Sequence, residues 1–354
     1  MTTTVDTPLG TLRTTATSVS HLIGRTPLVR MDHLFGSLPF EVYGKLEKLN
    51  PGGSIKDRAA QSMLEGAIRR GDITPGRTTV IESSSGNLGI AVAMLCREYG
   101  LDFLCVTDAK ATPTNIRLIE AFGATVEVIE EPHPQTGEFL PMRLRRVKEL
   151  LSEIPDSWWP NQYANPDNPA AHDQTIREII EVIPRVDAVV CATGSCGTLR
   201  GCHEALRRLS PGTRLIAVDA KGSAIFDEAG APHPRSVPGH GASVRPPLWR
   251  AGLADQLVLV SDGDCVVGCQ EALRSEALLL GGSSGAILTA IHRIAPTIPA
   301  GSTVVTILPD GGERYIDTIY DPSWVSSHVS RLPSPTDWRS PDPTNRYDLN
   351  RSAS

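Results

Sequence analysis

Near the start of the chain, the run Asn50-Pro51-Gly52-Gly53-Ser54-Ile55-Lys56-Asp57-Arg58 sets one lysine just after a turn rich in Gly and Pro. An apolar-periodic segment begins at the same point. A lysine amine that its surroundings keep neutral is both a base and a nucleophile, and it condenses with aldehydes to form a Schiff base. Most lysines in a helix's first turn are simply solvated. The chemistry of Lys56 is therefore decided by what else the chain supplies.

Three further loops supply candidates. Glu82-Ser83-Ser84-Ser85-Gly86-Asn87-Leu88-Gly89 follows the strand-like Thr79-Val80-Ile81 and opens a helix. Backbone N–H groups at a helix start, together with serine hydroxyls, suit a carboxylate, and the Asn87 amide suits a ring oxygen. An ordinary capped helix accounts for the same residues. Ala192-Thr193-Gly194-Ser195-Cys196-Gly197-Thr198-Leu199-Arg200-Gly201 follows the strand-like Ala188 to Cys191. Glycines there let backbone approach a phosphate closely. The loop lacks the Gly-Lys-Ser/Thr ending that binds triphosphates. It loosely imitates a dinucleotide fingerprint, with Asp219 ending the next strand where a ribose-binding acid sits, so a dinucleotide stands as the competitor. Gly281-Gly282-Ser283-Ser284-Gly285-Ala286 precedes a helix from Ile287 to Ile294. A serine hydroxyl facing a pyridine nitrogen leaves that nitrogen largely unprotonated, which weakens the ring as an electron sink and suits β-elimination. A lysine, a phosphate cradle and a ring-nitrogen partner are what pyridoxal phosphate (PLP) chemistry requires.

These loops need elements to position them. Strand-like runs, several of them continuously β-branched, lie at 41–45, 79–81, 102–106, 125–129, 188–191, 214–218, 256–260 and 303–308. Helical segments at 57–70, 87–99, 115–122, 142–151 and 198–209 separate many of them. That alternation predicts an α/β fold with mostly parallel sheet. With 354 residues, 40% hydrophobic and 21% charged, the chain has the composition of a soluble globular protein. A formal net charge of -6 argues against nucleic acid or anionic membrane as partner. No run is apolar for the length of a membrane span, and Met1 to Thr17 lacks a signal-peptide pattern, so a cytoplasmic protein is expected. The seven cysteines have no metal-knuckle spacing. Residues 1–17 are expected to be flexible. The stretch 331–354, rich in Pro, Ser, Asp and Arg with no apolar period, is expected to be a disordered tail or a surface-lying arm.

In this order the motifs resemble the fold-type II PLP enzymes of the cysteine synthase and cystathionine β-synthase family. The resemblance runs from about Ser18 to Tyr320, with Ile23-Gly24-Arg25-Thr26-Pro27-Leu28 and Asn161-Gln162-Tyr163-Ala164-Asn165-Pro166 as further matches. It implies two α/β lobes with PLP in the cleft: a small mobile lobe of 53–159, and a large lobe of 18–52 plus 160–330. It implies Lys56 as the Schiff-base lysine, Asn87 at the ring oxygen, Gly194, Ser195, Cys196, Gly197 and Thr198 around the phosphate, and Ser283 at the ring nitrogen. Ser84, Ser85, Gln162 and Tyr163 then fall at the substrate, and a homodimer is implied.

The chain departs from cysteine synthase at Leu88, Tyr163 and Ser195-Cys196, and in Gly239-His240-Gly241-Ala242-Ser243-Val244-Arg245-Pro246. These departures, with Leu308-Pro309-Asp310-Gly311-Gly312-Glu313-Arg314-Tyr315 and Gly137-Glu138-Phe139-Leu140-Pro141-Met142-Arg143, are similar to one subgroup. That subgroup, the N-(2-amino-2-carboxyethyl)-L-glutamate synthases of siderophore biosynthesis, uses O-phospho-L-serine and L-glutamate en route to 2,3-diaminopropionate. Arg143 falls where the subgroup has an arginine near the substrate phosphate, and Arg245 is a second candidate cation. Cysteine synthase activity with sulfide, and a catalytically silent PLP- or dinucleotide-holding protein, are the alternative readings.

Overall fold

A computed structural model describes residues 15–135, 137–226, 235–340 and 347–348. Its strands are β1 (Leu28–Arg30), β2 (Glu41–Leu46), β3 (Thr79–Ser83), β4 (Asp102–Asp108), β5 (Thr125–Ile129) and β6 (Ser157–Trp158), then β7 (Ala188–Ala192), β8 (Arg214–Ala220), β9 (Gln256–Val260), β10 (Thr303–Leu308) and β11 (Tyr347–Asp348). Seven form one sheet in the order β1-β2-β10-β7-β8-β9-β11, and four form a second in the order β5-β4-β3-β6. Among the described strand pairs only the edge pairs β1–β2 and β9–β11 are antiparallel. All four strands of the second sheet are parallel to their neighbours. The architecture is α/β with mostly parallel sheet, as the strand–helix alternation indicated.

The β-branched runs are continuous because each sheet is covered on both sides. In β7, Val190 points into the core beneath the helices Asp262–Glu276 and Gly282–Ile294, while Val189 points into the core under His172–Val182 and Gly197–Leu209. Val304 and Val305 of β10 divide in the same way. Successive side chains of a strand face opposite ways, so a doubly covered strand must be apolar at every position. In the smaller sheet, Val80 and Ile81 split between the core under helices Lys56–Arg70 and Asn87–Tyr99 and the core under Leu140–Glu153.

The segment after 330 is more structured in its first part than its composition suggests. Helix Pro335–Arg339 buries Trp338 to 1% exposure. The Trp338 indole donates to Thr289 Oγ1 at 2.6 Å and meets His292 edge-on. Arg339 pairs with Glu271 at 2.8 Å. One aromatic side chain fixes this arm to the two helices behind the large sheet. Residues 341–346 and 349–354 lie outside the described residues, as do 1–14, most of the stretch expected to be flexible.

Candidate active site

The carboxyl ends of both sheets open onto one cavity of about 410 Å3. Parallel α/β sheets place ligand sites there because helix N-termini and loops converge at that end. The cavity wall includes Lys56, Ser84, Ser85, Asn87, Arg143, Gln162, Tyr163, every residue from Gly194 to Thr198, and Ser283. Residues spread over more than 200 positions of sequence thus meet in one place.

Lys56 is the first residue of helix Lys56–Arg70. The turn before it depends on two glycines for different reasons. Gly53 has φ +83, which disfavours any side chain. Gly52 has no room for one: an added Cβ would lie 2.4 Å from Asp57 Oδ1, since Asp57 accepts from the Gly52 N–H at 2.5 Å. Lys56 is half-buried against the cavity. Desolvation lowers its pKa, and nearby Asp310 opposes that shift. Desolvation therefore favours the neutral amine that Schiff-base and general-base chemistry require.

The sequence motifs assign Asp310 no role. It is buried in the cavity wall, and Asn87 Nδ2 and the Tyr315 hydroxyl donate to its Oδ2 at 2.7 and 2.6 Å. Its Oδ1 has no hydrogen-bond partner among the described residues. Burial raises its pKa. Arg314 reaches both Asn87 Oδ1 and Gly52 O. Asn87 is held by an acid on one side and a guanidinium on the other. A strand end followed by Pro-Asp-Gly, next to a chemically active cleft, is the signal that could have found Asp310.

Two strand–loop–helix units face each other across the cavity. After β3, the Ser84 hydroxyl accepts from Gly89 N at 2.9 Å and Gly86 N at 3.3 Å, so it caps its own helix. The Ser85 hydroxyl makes no hydrogen bond to the described residues, while the Ser85 carbonyl is latched by Asn115 Nδ2 at 3.1 Å. After β7, helix Gly197–Leu209 starts with no side-chain cap, and its N-cap residue Cys196 sits at φ +65. The N–H groups from Gly194 to Thr198 donate to no loop or turn among the described residues. Gly194 leaves open space, since an added Cβ there would find only the Gly239 carbonyl at 3.8 Å. An uncapped helix start beside free N–H groups and empty volume fits a phosphate. Ser283 lies in the first turn of helix Gly282–Ile294, inside the helix rather than in the loop before it. With Lys56 and Asn87 lining the same cavity, the residues present fit PLP.

Arg143, on helix Leu140–Glu153, is buried and lines the cavity. Its Nε lies 3.1 Å from Asp108 Oδ2 in ion-pair contact, without hydrogen-bond alignment. Its terminal nitrogens make no hydrogen bond to the described residues. Burial raises the pKa of Tyr163, and Arg143 works against that shift. Lys110 and Arg235 are two further cavity-lining cations that sequence reasoning passed over. Lys110 sits over the Phe139 ring at 5.5 Å, and Arg235 donates to the His240 carbonyl at 3.2 Å.

Arg245 does not join them. It is absent from the cavity wall, donates to the Ile225 carbonyl at 2.9 Å and stacks on Trp249 at 4.1 Å. A tryptophan four residues away offers the guanidinium a ring face to stack on. Asp219 is fully buried, accepts from Ala220 N at 2.9 Å and does not line the cavity. A ribose could not reach it, which removes the main support for a dinucleotide. All seven cysteines are buried and unpaired, and the described residues hold no metal-ligating cluster.

Comparison with known proteins agrees with this geometry. Residues 19–310 match the family of pyridoxal-phosphate dependent enzymes, and the chain belongs to that family. It is similar to the O-acetylserine dependent cystathionine beta-synthase from Helicobacter pylori, with 34% identity over 87% of this chain and 100% of that one, at a TM-score of 0.80. It also resembles a hydrogen sulfide-producing enzyme from Fusobacterium nucleatum, at 31% identity, 85% and 100% coverage and a TM-score of 0.79. An O-ureido-L-serine synthase matches at 28% identity, 92% and 99% coverage and a TM-score of 0.79. The protein is a PLP-dependent enzyme of the β-replacement and β-elimination type.

Proposed function

We propose that the enzyme joins O-phospho-L-serine and L-glutamate into N-(2-amino-2-carboxyethyl)-L-glutamate with release of inorganic phosphate, a step toward 2,3-diaminopropionate. The reading rests on one observation. Beyond Lys56, the cavity is lined by three cations, Lys110, Arg143 and Arg235, set against the acids Asp108, Glu138 and Asp310, of which Asp108 pairs with Arg143 and Asp310 is taken up by Asn87 and Tyr315. Both the leaving phosphate and an incoming dicarboxylate are anionic, and a cleft serving sulfide needs no such set. Arg143 suits the phosphate because its Nε faces Asp108 while the rest of its fork is left to a ligand.

When bound, PLP withdraws electrons from the amino acid's α-carbon, which makes the α-proton removable and the β-substituent a leaving group. The residues of the chain do the rest. Ser85 and the Gln162 amide hold the substrate carboxylate. Lys56, favoured as the neutral amine by desolvation, takes the α-proton onto Nζ. The β-carbon–oxygen bond breaks, and phosphate leaves with the bonding pair toward Arg143. The glutamate nitrogen then bonds to the β-carbon and loses a proton to water, and Lys56 returns the α-proton. Ser283 at the ring nitrogen limits electron withdrawal to this shallow chemistry. Two substrates taking turns in one cavity give ping-pong kinetics.

A second reading, cysteine synthase activity with sulfide, is favoured by the similarity to two proteins, one an O-acetylserine dependent synthase and one a hydrogen sulfide-producing enzyme. Incubation with O-phosphoserine or O-acetylserine plus a panel of amino acids and sulfide, with products identified by mass, separates the two. The glutamate adduct with stoichiometric phosphate is expected. Cysteine as the sole product would overturn the proposal. With this reading we propose a homodimer, a cytoplasmic location and a mobile small lobe.

A further inference from the structure

Glu82 is fully buried at the carboxyl end of β3 and is not part of the cavity wall. Its carboxylate is used by three N–H donors from two parts of the chain. Oε1 accepts from Ser83 N at 2.7 Å and Trp159 Nε1 at 3.0 Å, and Oε2 accepts from Gln162 N at 3.2 Å. Gln162 is gripped from its other side as well, since Asn168 Nδ2 donates to the Gln162 carbonyl at 2.7 Å. The same Asn168 nitrogen reaches Ser195 Oγ at 3.4 Å. Asn168 Oδ1 occupies the space where a Cβ on Gly197 would stand, 2.1 Å away. A continuous buried polar chain therefore runs from the Ser83–Asn87 loop through Glu82, Gln162 and Asn168 to the loop Gly194–Thr198. It crosses from the small sheet to the large one behind the cavity.

Each link has a physical reason. Gln162 lies in a bent segment, with Asn161 at φ +48, so neither sheet nor helix bonds hold its backbone. A buried N–H and C=O outside regular structure need partners, and Glu82 and Asn168 are those partners. The Gln162 side-chain amide is left without a hydrogen bond among the described residues and lines the cavity.

We propose that Glu82 is a positioning residue. Through Gln162 and Asn168 it ties the carboxylate-binding side of the cavity to the Gly194–Thr198 loop, and so sets affinity for the amino-acid substrate without touching it. The inference rests on the reading that Gln162 and the Ser84–Ser85 loop receive the substrate carboxylate.

The test is Glu82→Gln in the holoenzyme. Glutamine keeps the shape but turns an NH2 group toward donors that now lack an acceptor. The KM for the first substrate should rise about tenfold, the effect of one unmatched buried donor. The rise should be equal for O-phosphoserine and O-acetylserine, because the carboxylate and not the leaving group is affected. Turnover at saturation and the visible band of bound PLP should be little changed. Asn168→Ala should raise the same KM and also weaken PLP binding to the apoprotein, read by tryptophan fluorescence. An unchanged KM in Glu82→Gln, or a rise confined to O-phosphoserine, overturns the proposal. Should Glu82→Gln not fold, Trp159→Phe deletes one donor alone, and a smaller rise shared by both esters is expected, its absence being equally fatal. A wild-type protein that binds neither ester removes the functional reading and this inference together. Wild-type binding with insensitive variants removes only the inference.

Discussion

The loop after β3 and the loop after β7 are built to one plan, a parallel strand delivering a helix N-terminus to the cavity, yet they treat their free N–H groups in opposite ways. The first closes on itself, with Ser84 accepting two of its own amides. The second has no side-chain cap and leaves its amides toward the cleft. A self-capped start suits a singly charged carboxylate that comes and goes with each turnover. An uncapped start is incomplete without a resident anion, and the phosphate of PLP is the anion we propose for it.

The largest expected effect lies where both loops converge. Lys56→Ala should abolish the visible band of the holoprotein and lower turnover by at least about 10²-fold, the usual contribution of a positioned base. A surviving band would mean that neither loop serves the chemistry assigned to it. Next comes the uncapped loop. Gly197→Ala forces a Cβ onto Asn168 and should cost about 1–3 kcal/mol of stability along with PLP affinity. Gly194→Ala meets only open space, so the apoprotein should melt normally and bind PLP poorly. Equal melting temperatures for the two variants would erase that difference.

The self-capped loop should respond in reverse. Ser84→Ala should lower stability by about 1 kcal/mol, as for other lost caps, in a thermal melt. Ser85→Ala should leave the melt unchanged and raise the KM for the amino acid. If Ser85 proves the stabilising residue, the comparison is inverted.

The smallest effect concerns the buried acids beneath the loops. Burial pushes Glu82 up to about 7 and Asp219 up to about 6. A carboxyl whose folded pKa is raised holds its proton longer in the native state, so its contribution is complete at low pH and lost as pH rises through the folded value. For Glu82 the loss falls between about 4.5 and 7, and for Asp219 between 3.8 and about 6. Apoprotein stability followed by denaturant titration should decline less steeply with pH in Glu82→Gln up to pH 7, and in Asp219→Asn only up to pH 6. Identical windows for the two variants would show that the environments are not distinct.

Much of this was legible in the sequence. Parallel strands buried on both faces leave continuous β-branched runs, and the loops of Ser84–Asn87 and Gly194–Thr198 each follow one directly, so strand ends and candidate site residues could be read together. Helix Asn87–Tyr99 and strands β5, β9 and β10 have the ends that the pattern indicated. Arg245 was misplaced because cation type says nothing about which surface a guanidinium will stack on. Lys110 and Arg235 were passed over because each is a single charge with no spacing to mark it, whereas Asp310 had a signal in the Pro-Asp-Gly turn at the end of β10. The chain through Glu82 and Asn168 was invisible for a related reason, since hydrogen bonds between distant backbone and side-chain groups leave no periodic trace.

Trp338 carries a practical warning. The family match stops at residue 310 and the regular strand–helix pattern fades soon after, so a trimmed version ending near 330 would look harmless. Such a cut would pull out the plug that seals Thr289 and His292. The helix thereby unsealed begins at Gly282, with Ser283 in its opening turn. Shortening the protein at its far end would loosen, from behind, the helix start proposed to seat the cofactor's ring.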